Sequence, residues 1–290
     1  MNFLGFHVTF RSTAPSLAAI FAVCLLTACS SNKDKDKDKY VERPVEELYN
    51  TAMDQLGNGD YAKASTTFDE VDQQHPYSVW ATKAQLMSAY ALYQANKYDE
   101  SIIAADRFIQ LHPGHRDVAY AYYLKALDYY IQIEDVGRDQ KTTQQALNAL
   151  AEVVRRFPDS RYARDARLKI DLARDHLAGK EMEIGRWYEK RGLYLSAINR
   201  FKVVVDQYQT TTHAPEALER LTECYLALGL KDEAQKTAAV LGYNYPGSSW
   251  YEATYVLVTG QKPQQAVASD GKQTDNAQPG WFGRVFHSIF

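Results

Sequence analysis

The histidines of this sequence are the first residues to consider for chemistry, because two of them have a spacing that can bind metal. His112 and His115 lie three residues apart around a Pro-Gly pair. A zinc site needs at least three protein ligands, and no third ligand is evident, so we interpret the pair as polar turn residues. The sequence also lacks His-Glu-x-x-His, Gly-x-Ser-x-Gly, a phosphate-binding glycine loop and paired cysteines. We therefore predict no catalytic residues, no metal site, no cofactor and no enzyme activity.

Cys29 is the residue for which the sequence predicts a covalent modification. It follows Leu26-Thr27-Ala28, and residues 17–26 form an apolar run that is too short to span a bilayer but suits a secretory signal. This arrangement resembles the lipobox of bacterial lipoproteins, which implies that residues 1–28 are a signal peptide, removed by cleavage before the acylated Cys29. In lipoprotein sorting an Asp after the cysteine usually means inner-membrane retention, so Ser30 implies the outer membrane. An ordinary signal peptide with a chance cysteine is the alternative.

Charge and composition divide the mature chain. Residues 30–40 alternate lysine and aspartate almost without apolar side chains, so they bury too little surface to offset the entropy lost on ordering. We predict that residues 29–44 form a flexible tether that begins at the lipidated cysteine. The formal net charge is -3, and -4 once residues 1–28 and their single arginine are removed, which argues against binding to nucleic acid. Cys224 lies in an apolar helical stretch, and we interpret it as a small buried hydrophobe rather than a nucleophile.

The composition changes again near the C-terminus. Residues 261–279 are rich in Gln, Ala, Asp and Lys, which predicts a disordered linker. In residues 280–290 the large apolar side chains fall on one face of a helix, opposite Arg284. We predict a docking segment that folds onto a partner subunit, the protein's own body or the lipid interface. Its apolar residues are Trp281, Phe282, Val285, Phe286, Ile289 and Phe290.

Residues 45–260 contain an internal repeat. Short turns recur with a proline at Pro76, Pro113, Pro158 and Pro246, and a fifth turn has Gln209 at the equivalent place. Twelve residues before each of these positions stands a small residue: Ala64, Ser101, Ala146, Ala197 and Ala234. Twelve residues earlier, small residues recur at Ala52, Ala89, Gly185 and Thr222, but the third unit has Glu134 there.

This spacing resembles the tetratricopeptide repeat, a pair of antiparallel helices that approach closely where small residues face each other. The proline then ends the second helix. We predict an all-α fold, a solenoid of about five tetratricopeptide-like helical hairpins with a capping C-terminal helix at residues 250–259. Two insertions lengthen the units. One is a polar loop at residues 132–141, and the other extends the run 162–190, which is one long helix or two nearly continuous ones.

A stack of hairpins presents a groove lined by its first helices, which suits extended peptides. The first two repeats offer Tyr49, Tyr77, Tyr90 and Tyr93 as candidates for a substrate groove. Tyr90 and Tyr93 are three residues apart on one helix, and packing in the core is the alternative that the residues alone favour.

Three segments carry a resemblance to a known family: Glu47 to Ala52, just before Gly59-Asp60-Tyr61, then Ile102 to Pro113, and Trp187 to Arg200. They resemble the BamD-like family of outer-membrane lipoproteins. The resemblance implies a non-enzymatic subunit of the machinery that assembles β-barrels in the outer membrane, anchored on the periplasmic face. It also implies a BamA-like barrel subunit and accessory Bam lipoproteins as partners, and unfolded outer-membrane proteins as substrates.

The family resemblance also implies a role for an arginine. In the family, the arginine of an Asn-Arg pair contacts the barrel subunit, and the matching residue here is Arg200; Arg191 is a neighbouring candidate. The alternative for both is an ordinary surface ion pair. Two other functions remain open: a periplasmic repeat lipoprotein that coordinates cell division or envelope polysaccharide assembly, and a peptidoglycan-acting enzyme with its site assembled from distant repeats.

Overall fold

The computed structural model describes residues 42–261, and this range contains eleven α-helices and no β-strand. The predicted all-α class is therefore confirmed. The predicted signal peptide, Cys29 with nearly all of the tether, the linker beyond residue 261 and the docking segment 280–290 lie outside the described residues. Within residues 42–261, no helix combines the length and the apolar character needed to cross a membrane. The helices are α1 Val45–Gly57, α2 Tyr61–Gln74, α3 Val79–Gln94, α4 Tyr98–Leu111, α5 Val118–Ile131, α6 Lys141–Arg156, α7 Arg161–Glu189, α8 Tyr194–Gln207, α9 Ala214–Ala227, α10 Lys231–Asn244 and α11 Ser249–Thr259.

The helices pair in chain order into five hairpins: α1 with α2, α3 with α4, α5 with α6, the C-terminal half of α7 with α8, and α9 with α10. Each helix packs on the next one, and first helices also touch the first helix of the following hairpin, as α1 does α3, α3 does α5 and α5 does α7. The last helix, α11, packs on α9 and α10. This order confirms the predicted solenoid of five hairpins with a C-terminal helix.

The small residues of the repeat lie where the helices of a hairpin approach each other. All five central small residues are fully buried, and so are Ala52, Ala89 and Thr222. The helices of the fourth hairpin approach closely at Gly185 on α7, where an added Cβ would lie 2.7 Å from Cδ1 of Phe201 on α8. No side chain fits at that distance, so the glycine sets how closely α7 and α8 pack.

Serine side chains cap the N-termini of three helices. The Oγ atoms of Ser78, Ser160 and Ser248 accept hydrogen bonds from the backbone N–H three residues later, at 3.1, 3.0 and 3.1 Å. Each bond satisfies a donor that the first turn of a helix leaves without a partner. Pro215 lies in the first turn of α9, where its missing N–H costs nothing.

The third hairpin departs from the repeat spacing because the loop between its helices is long. α5 ends at Ile131 and α6 begins at Lys141, which confirms the predicted polar loop. The fully buried small residue of α5 that packs against Leu150 is Ala126, eight residues before Glu134. The inserted residues therefore shift the spacing of the small residues along the sequence, while a small residue of the first helix still packs against the second helix.

The run 162–190 is one helix. α7 covers Arg161–Glu189, 29 residues or about 44 Å. It contacts α6 and α8 extensively, so it passes from the third hairpin to the fourth and joins them rigidly. Both of its glycines, Gly179 and Gly185, are buried at close contacts, and neither interrupts the helix.

Candidate functional site

Five tyrosines from three successive first helices form a continuous half-buried row, which we call the tyrosine strip. Tyr90 and Tyr93 lie on α3, Tyr120 and Tyr123 on α5, and Tyr162 on α7. The ring centroids of Tyr90 and Tyr120 are 6.5 Å apart, and Tyr162 lies 5.6 Å from Tyr120 and 5.2 Å from Tyr123. The strip therefore crosses the stack of first helices instead of following one helix.

Charged side chains border the α7 end of the tyrosine strip. The Tyr123 hydroxyl donates a hydrogen bond to Asp165, and Lys169 Nζ lies 2.9 Å from the same carboxylate. Burial raises the pKa of the Tyr120 and Tyr123 hydroxyls, and the bond to Asp165 raises that of Tyr123 further. The hydroxyls stay protonated at physiological pH and remain donors. A row of flat apolar rings with polar tips suits an extended peptide of variable sequence.

Asp128 is fully buried beside the strip and links α3, α4 and α5. Its Oδ2 lies 2.8 Å from Ser101 Oγ, which is also 3.0 Å from the carbonyl oxygen of Ala89. The serine has one hydrogen, so both contacts are hydrogen bonds only if Asp128 is protonated and donates to Ser101. Burial raises the pKa of Asp128 to about 7, and the Ser101 bond opposes that rise while Asp99 adds to it.

The other two tyrosine candidates lie apart from the strip. Tyr49 on α1 packs against Phe68 and Trp80, with ring centroids 5.6 and 4.7 Å away, so its ring belongs to the core of the first hairpin. Tyr77 is fully exposed in the turn between α2 and α3. The two tyrosines of α3 pack at the edge of the core and also line the strip. Each therefore has core contacts, as the alternative expected, and also a place on the candidate groove.

A second surface, on α7 and α9, is charged. Arg186 Nη1 donates to Glu216 at 3.0 Å, and Arg220 Nη1 donates to Glu223 at 2.9 Å and lies 3.7 Å from Glu189. We call these five side chains the arginine network. Four of them line a cleft of about 370 Å³ together with Lys190, Tyr194 and Ala227. The charges are largely paired with each other, so the network holds α7 against α9.

Two buried groups lie beneath the arginine network. Burial raises the pKa of the Cys224 thiol to about 12, and Glu189, whose Oε1 lies 3.6 Å from Sγ, adds to the rise. The thiol is therefore protonated and unreactive at physiological pH, and its predicted burial is confirmed. Burial also raises the pKa of Glu219 to about 7; the carboxylate of Glu223 adds to this rise and Arg220 opposes it.

The two arginines predicted for partner binding lie on the fourth hairpin. Arg200, in the middle of α8, pairs with Glu181 on α7 at 3.1 Å, and 42% of its side chain is exposed. Arg191, in the turn before α8, lies over the ring of Trp187 at 3.4 Å from the centroid, and Trp187 is 51% exposed. Arg200 thus makes an ordinary surface ion pair, which was the alternative to partner binding, and it also keeps N–H donors that face solvent.

The α5 and α7 members of the strip and the whole arginine network were not among the residues predicted from the sequence. One signal for the strip was present, because Tyr120 and Tyr123 repeat the three-residue spacing of Tyr90 and Tyr93. The network had no such signal, since the pairs that join its two helices, Arg186 with Glu216 and Arg220 with Glu189, are 30 and 31 residues apart.

Most of the chain is similar to proteins of a known family. Residues 41–241 match the model of the YfiO family, described as outer membrane lipoprotein. The outer membrane protein assembly factor BamD of Caulobacter vibrioides is 51% identical over 254 residues, which cover 88% of this chain and 83% of that protein. The BamD of Rickettsia prowazekii is 47% identical over 243 residues, 83% of this chain and 96% of that one. Among solved structures, the chain is similar to the TPR domain of P58(IPK), with 16% identity, a TM-score of 0.38 and coverage of 73% and 55%.

Proposed function

The chain belongs to the YfiO family of outer membrane lipoproteins, and from that premise we propose how its surfaces serve outer-membrane protein assembly. Its relatives named BamD are outer membrane protein assembly factors, and the chain is accordingly an assembly factor associated with the outer membrane. We propose that it works without catalysis, as a scaffold that holds unfolded outer-membrane proteins next to the subunits that insert them.

The tyrosine strip is the observation that supports a substrate-binding role. Strands of membrane β-barrels alternate apolar and polar side chains, so an unfolded barrel protein in extended form presents apolar groups along one side. The rings of the strip offer apolar surface to that side. The hydroxyls of Tyr90 and Tyr162 accept bonds from Gln94 and Arg161, so each still has a hydrogen to donate to a backbone carbonyl group. Because the strip crosses three helices, it can follow an extended chain over several residues.

The exposed side of the fourth hairpin is the proposed site for the barrel subunit. Arg200 and Arg191 each offer a guanidinium group, and Trp187, which is 51% exposed, adds aromatic surface of the kind that is enriched at protein interfaces. A BamA-like subunit would bind here through carboxylates, and accessory Bam lipoproteins would join the same assembly.

The N-terminal residues anchor this scaffold in the proposal. Acyl chains on Cys29 would insert in the outer membrane, and the charged segment up to residue 44 would let the helical body stand off from its periplasmic face. Acyl chains bind a bilayer with about 0.8 kcal/mol for each buried methylene, so several chains on one residue give stable attachment.

The experiment that tests the substrate role measures binding of a urea-unfolded outer-membrane β-barrel protein, diluted into the purified full-length lipoprotein. The variant replaces Tyr93 and Tyr123 with Ser, and the control replaces Tyr243, an exposed tyrosine on α10, with Ser. We expect the strip variant to bind about ten-fold more weakly or worse, because buried aromatic contacts dominate such interfaces.

Thermal unfolding of wild type, the strip variant and the Tyr243→Ser protein shows whether a variant that loses binding is still folded. The proposed role is supported if the strip variant stays folded and loses affinity while the Tyr243→Ser protein matches wild type. Equal affinity of all three folded proteins would contradict it.

A further inference from the structure

The last helix of the described chain occupies the place of a first helix but has no second helix packed on it. Within residues 42–261, α11 contacts only α9 and α10. α9, a first helix with neighbours on both sides, buries seven of its 14 residues, whereas α11 buries only Thr254 although it is rich in apolar residues. One face of α11 is therefore apolar and exposed.

A comparison at equivalent positions shows what this face lacks. Leu86 stands eight residues after the capping Ser78 and is 8% exposed, because Phe108 of its own second helix and Ala121 of the next first helix cover it. Val256 stands eight residues after the capping Ser248 and is 42% exposed, and the adjacent Leu257 is 47% exposed. No residue of the described range fills the slot beside α11 that a second helix fills elsewhere in the solenoid.

We propose that the chain's own C-terminal segment, residues 280–290, docks on the Ala253–Val256–Leu257 face of α11. The segment has six large apolar residues at spacings that fall on one helical face, which is the pattern a helix needs to fill such a slot. This inference goes beyond the proposed function, since it concerns how the solenoid is closed and not what it assembles.

The length of the intervening chain fits this occupant. α11 ends at Gly260, whose φ of 70° and N–H bond to the Val256 carbonyl at 2.8 Å turn the chain away from the helix axis. Residues 262–279 then supply 18 residues, which span about 23 Å on average as a flexible chain, against about 16 Å for the length of α11. The segment thus reaches the face alongside α11 without strain.

Attachment to the same chain favours this site over a separate binding partner. A short flexible linker holds the segment near α11 at an effective concentration in the millimolar range. The segment carries one arginine and no lysine, so its attraction to anionic lipid is weak.

The first experiment places a photo-activated cross-linking amino acid at position 257 of the full-length lipoprotein in mild detergent, with position 168 as a matched control. Leu168 is a 65% exposed leucine on α7, far along the chain from the docking face. We expect position 257 to cross-link within one molecule to residues 280–290, and position 168 not to do so. Cross-links from 257 to a second copy or another protein, or no link to the segment, would overturn the proposal.

Hydrogen exchange gives an independent measurement. In the full-length protein, Val256→Asp should speed amide exchange in residues 280–290 about ten-fold or more, because a charge on the docking face removes the apolar contact that protects the segment. Leu168→Asp should leave that exchange unchanged, and exchange in α1 to α10 should match wild type in both variants. The same exchange rate in residues 280–290 of wild type and Val256→Asp would refute intramolecular docking.

Discussion

At the scale of single residues, the surroundings of each charged side chain decide whether it is available to a partner. Arg220 lies near several carboxylates, among them Glu189 and Glu223, and its side chain is 29% exposed, whereas Arg200 pairs with Glu181 and remains 42% exposed. Asp128 is fully buried, and no cation among the described residues acts on it, so its hydrogen bond with Ser101 stabilises the fold mainly while the carboxyl is neutral.

Replacing Asp128 with Asn should reduce the pH dependence of stability. Its pKa in the folded protein, about 7, lies above the ordinary value of 3.8, so its contribution is complete below pH 4 and is lost as the pH rises through 7. Within that window the loss is about 1.4 kcal/mol per pH unit. Urea unfolding of both proteins at pH 5 and pH 8 measures the effect.

The variant should gain stability relative to wild type at pH 8. An Asp54→Asn control, at an exposed position on α1, should keep the wild-type pH dependence. A difference between Asp128→Asn and wild type that is the same at both pH values would contradict the assignment.

Reversing the charge of Arg200 should release the barrel subunit. In a gentle-detergent pull-down of the tagged protein, we expect Arg200→Glu to recover at least about ten-fold less of a large β-barrel protein with periplasmic domains, because like charges would then face each other across the interface. Folding should be nearly unaffected, since half-exposed ion pairs contribute about 1 kcal/mol or less.

The matched control for this experiment is Arg107→Glu. Arg107 on α4 makes a similar ion pair between helices, with Asp72 at 3.0 Å, but lies in the second hairpin. Equal recovery of the barrel protein with both variants would remove Arg200 from the interface.

At the scale of the helix, small residues and caps determine where each hairpin begins, ends and closes. Ser160 caps the N-terminus of the 29-residue α7. Near the other end of α7, Gly185 has no Cβ, so the Phe201 ring of α8 packs directly against the backbone. Because α7 packs on α6 of the third hairpin and pairs with α8 in the fourth, it fixes the position of the fourth hairpin relative to the third.

Gly185→Ala should destabilise the protein although alanine favours helices more than glycine does. The added methyl group would overlap the Phe201 ring, and overpacking of this kind costs about 1–3 kcal/mol. Gly114→Ala is the control, because an added Cβ there meets no atom within 4 Å, and we expect a change within about 0.5 kcal/mol. Urea unfolding decides between them, and equal losses would mean that close packing is not what requires glycine at position 185.

At the scale of the whole molecule, the two proposed binding surfaces are the tyrosine strip and the exposed side of the fourth hairpin, and α7 connects them. Tyr162 in the tyrosine strip and Trp187 in the proposed site for the barrel subunit lie on the same helix, 25 residues or about 38 Å apart. Residues so far apart with no shared contacts make independent contributions to binding.

We therefore expect the two binding activities to be lost separately. The Tyr93→Ser, Tyr123→Ser protein should still recover the barrel subunit in a pull-down, and Arg200→Glu should still bind a urea-unfolded barrel protein with wild-type affinity. Loss of both activities in either folded variant would show that the surfaces are coupled through α7.

The sequence alone determined the features that depend on neighbours along the chain. The buried small residues, the serine caps and the proline turns recur at fixed spacings, so the five hairpins, the polar loop and the last helix were predictable. The lipobox at Cys29 and the apolar residues 280–290 are also local patterns, and they remain predictions because they lie outside the described residues.

The tertiary structure decided which side chains meet across helices. Tyr120 and Tyr162 come together only because α5 and α7 pack side by side, and Asp128 meets Ser101 only because α5 crosses α4. In the third hairpin the inserted loop shifts Ala126 out of the repeat spacing, so the spacing did not identify it. Whether the run through Gly179 and Gly185 was one helix or two depended on the contacts that bury both glycines. Local spacing fixes a helix and its faces, but the crossing of helices depends on packing among residues distant in sequence, and that packing forms the surfaces.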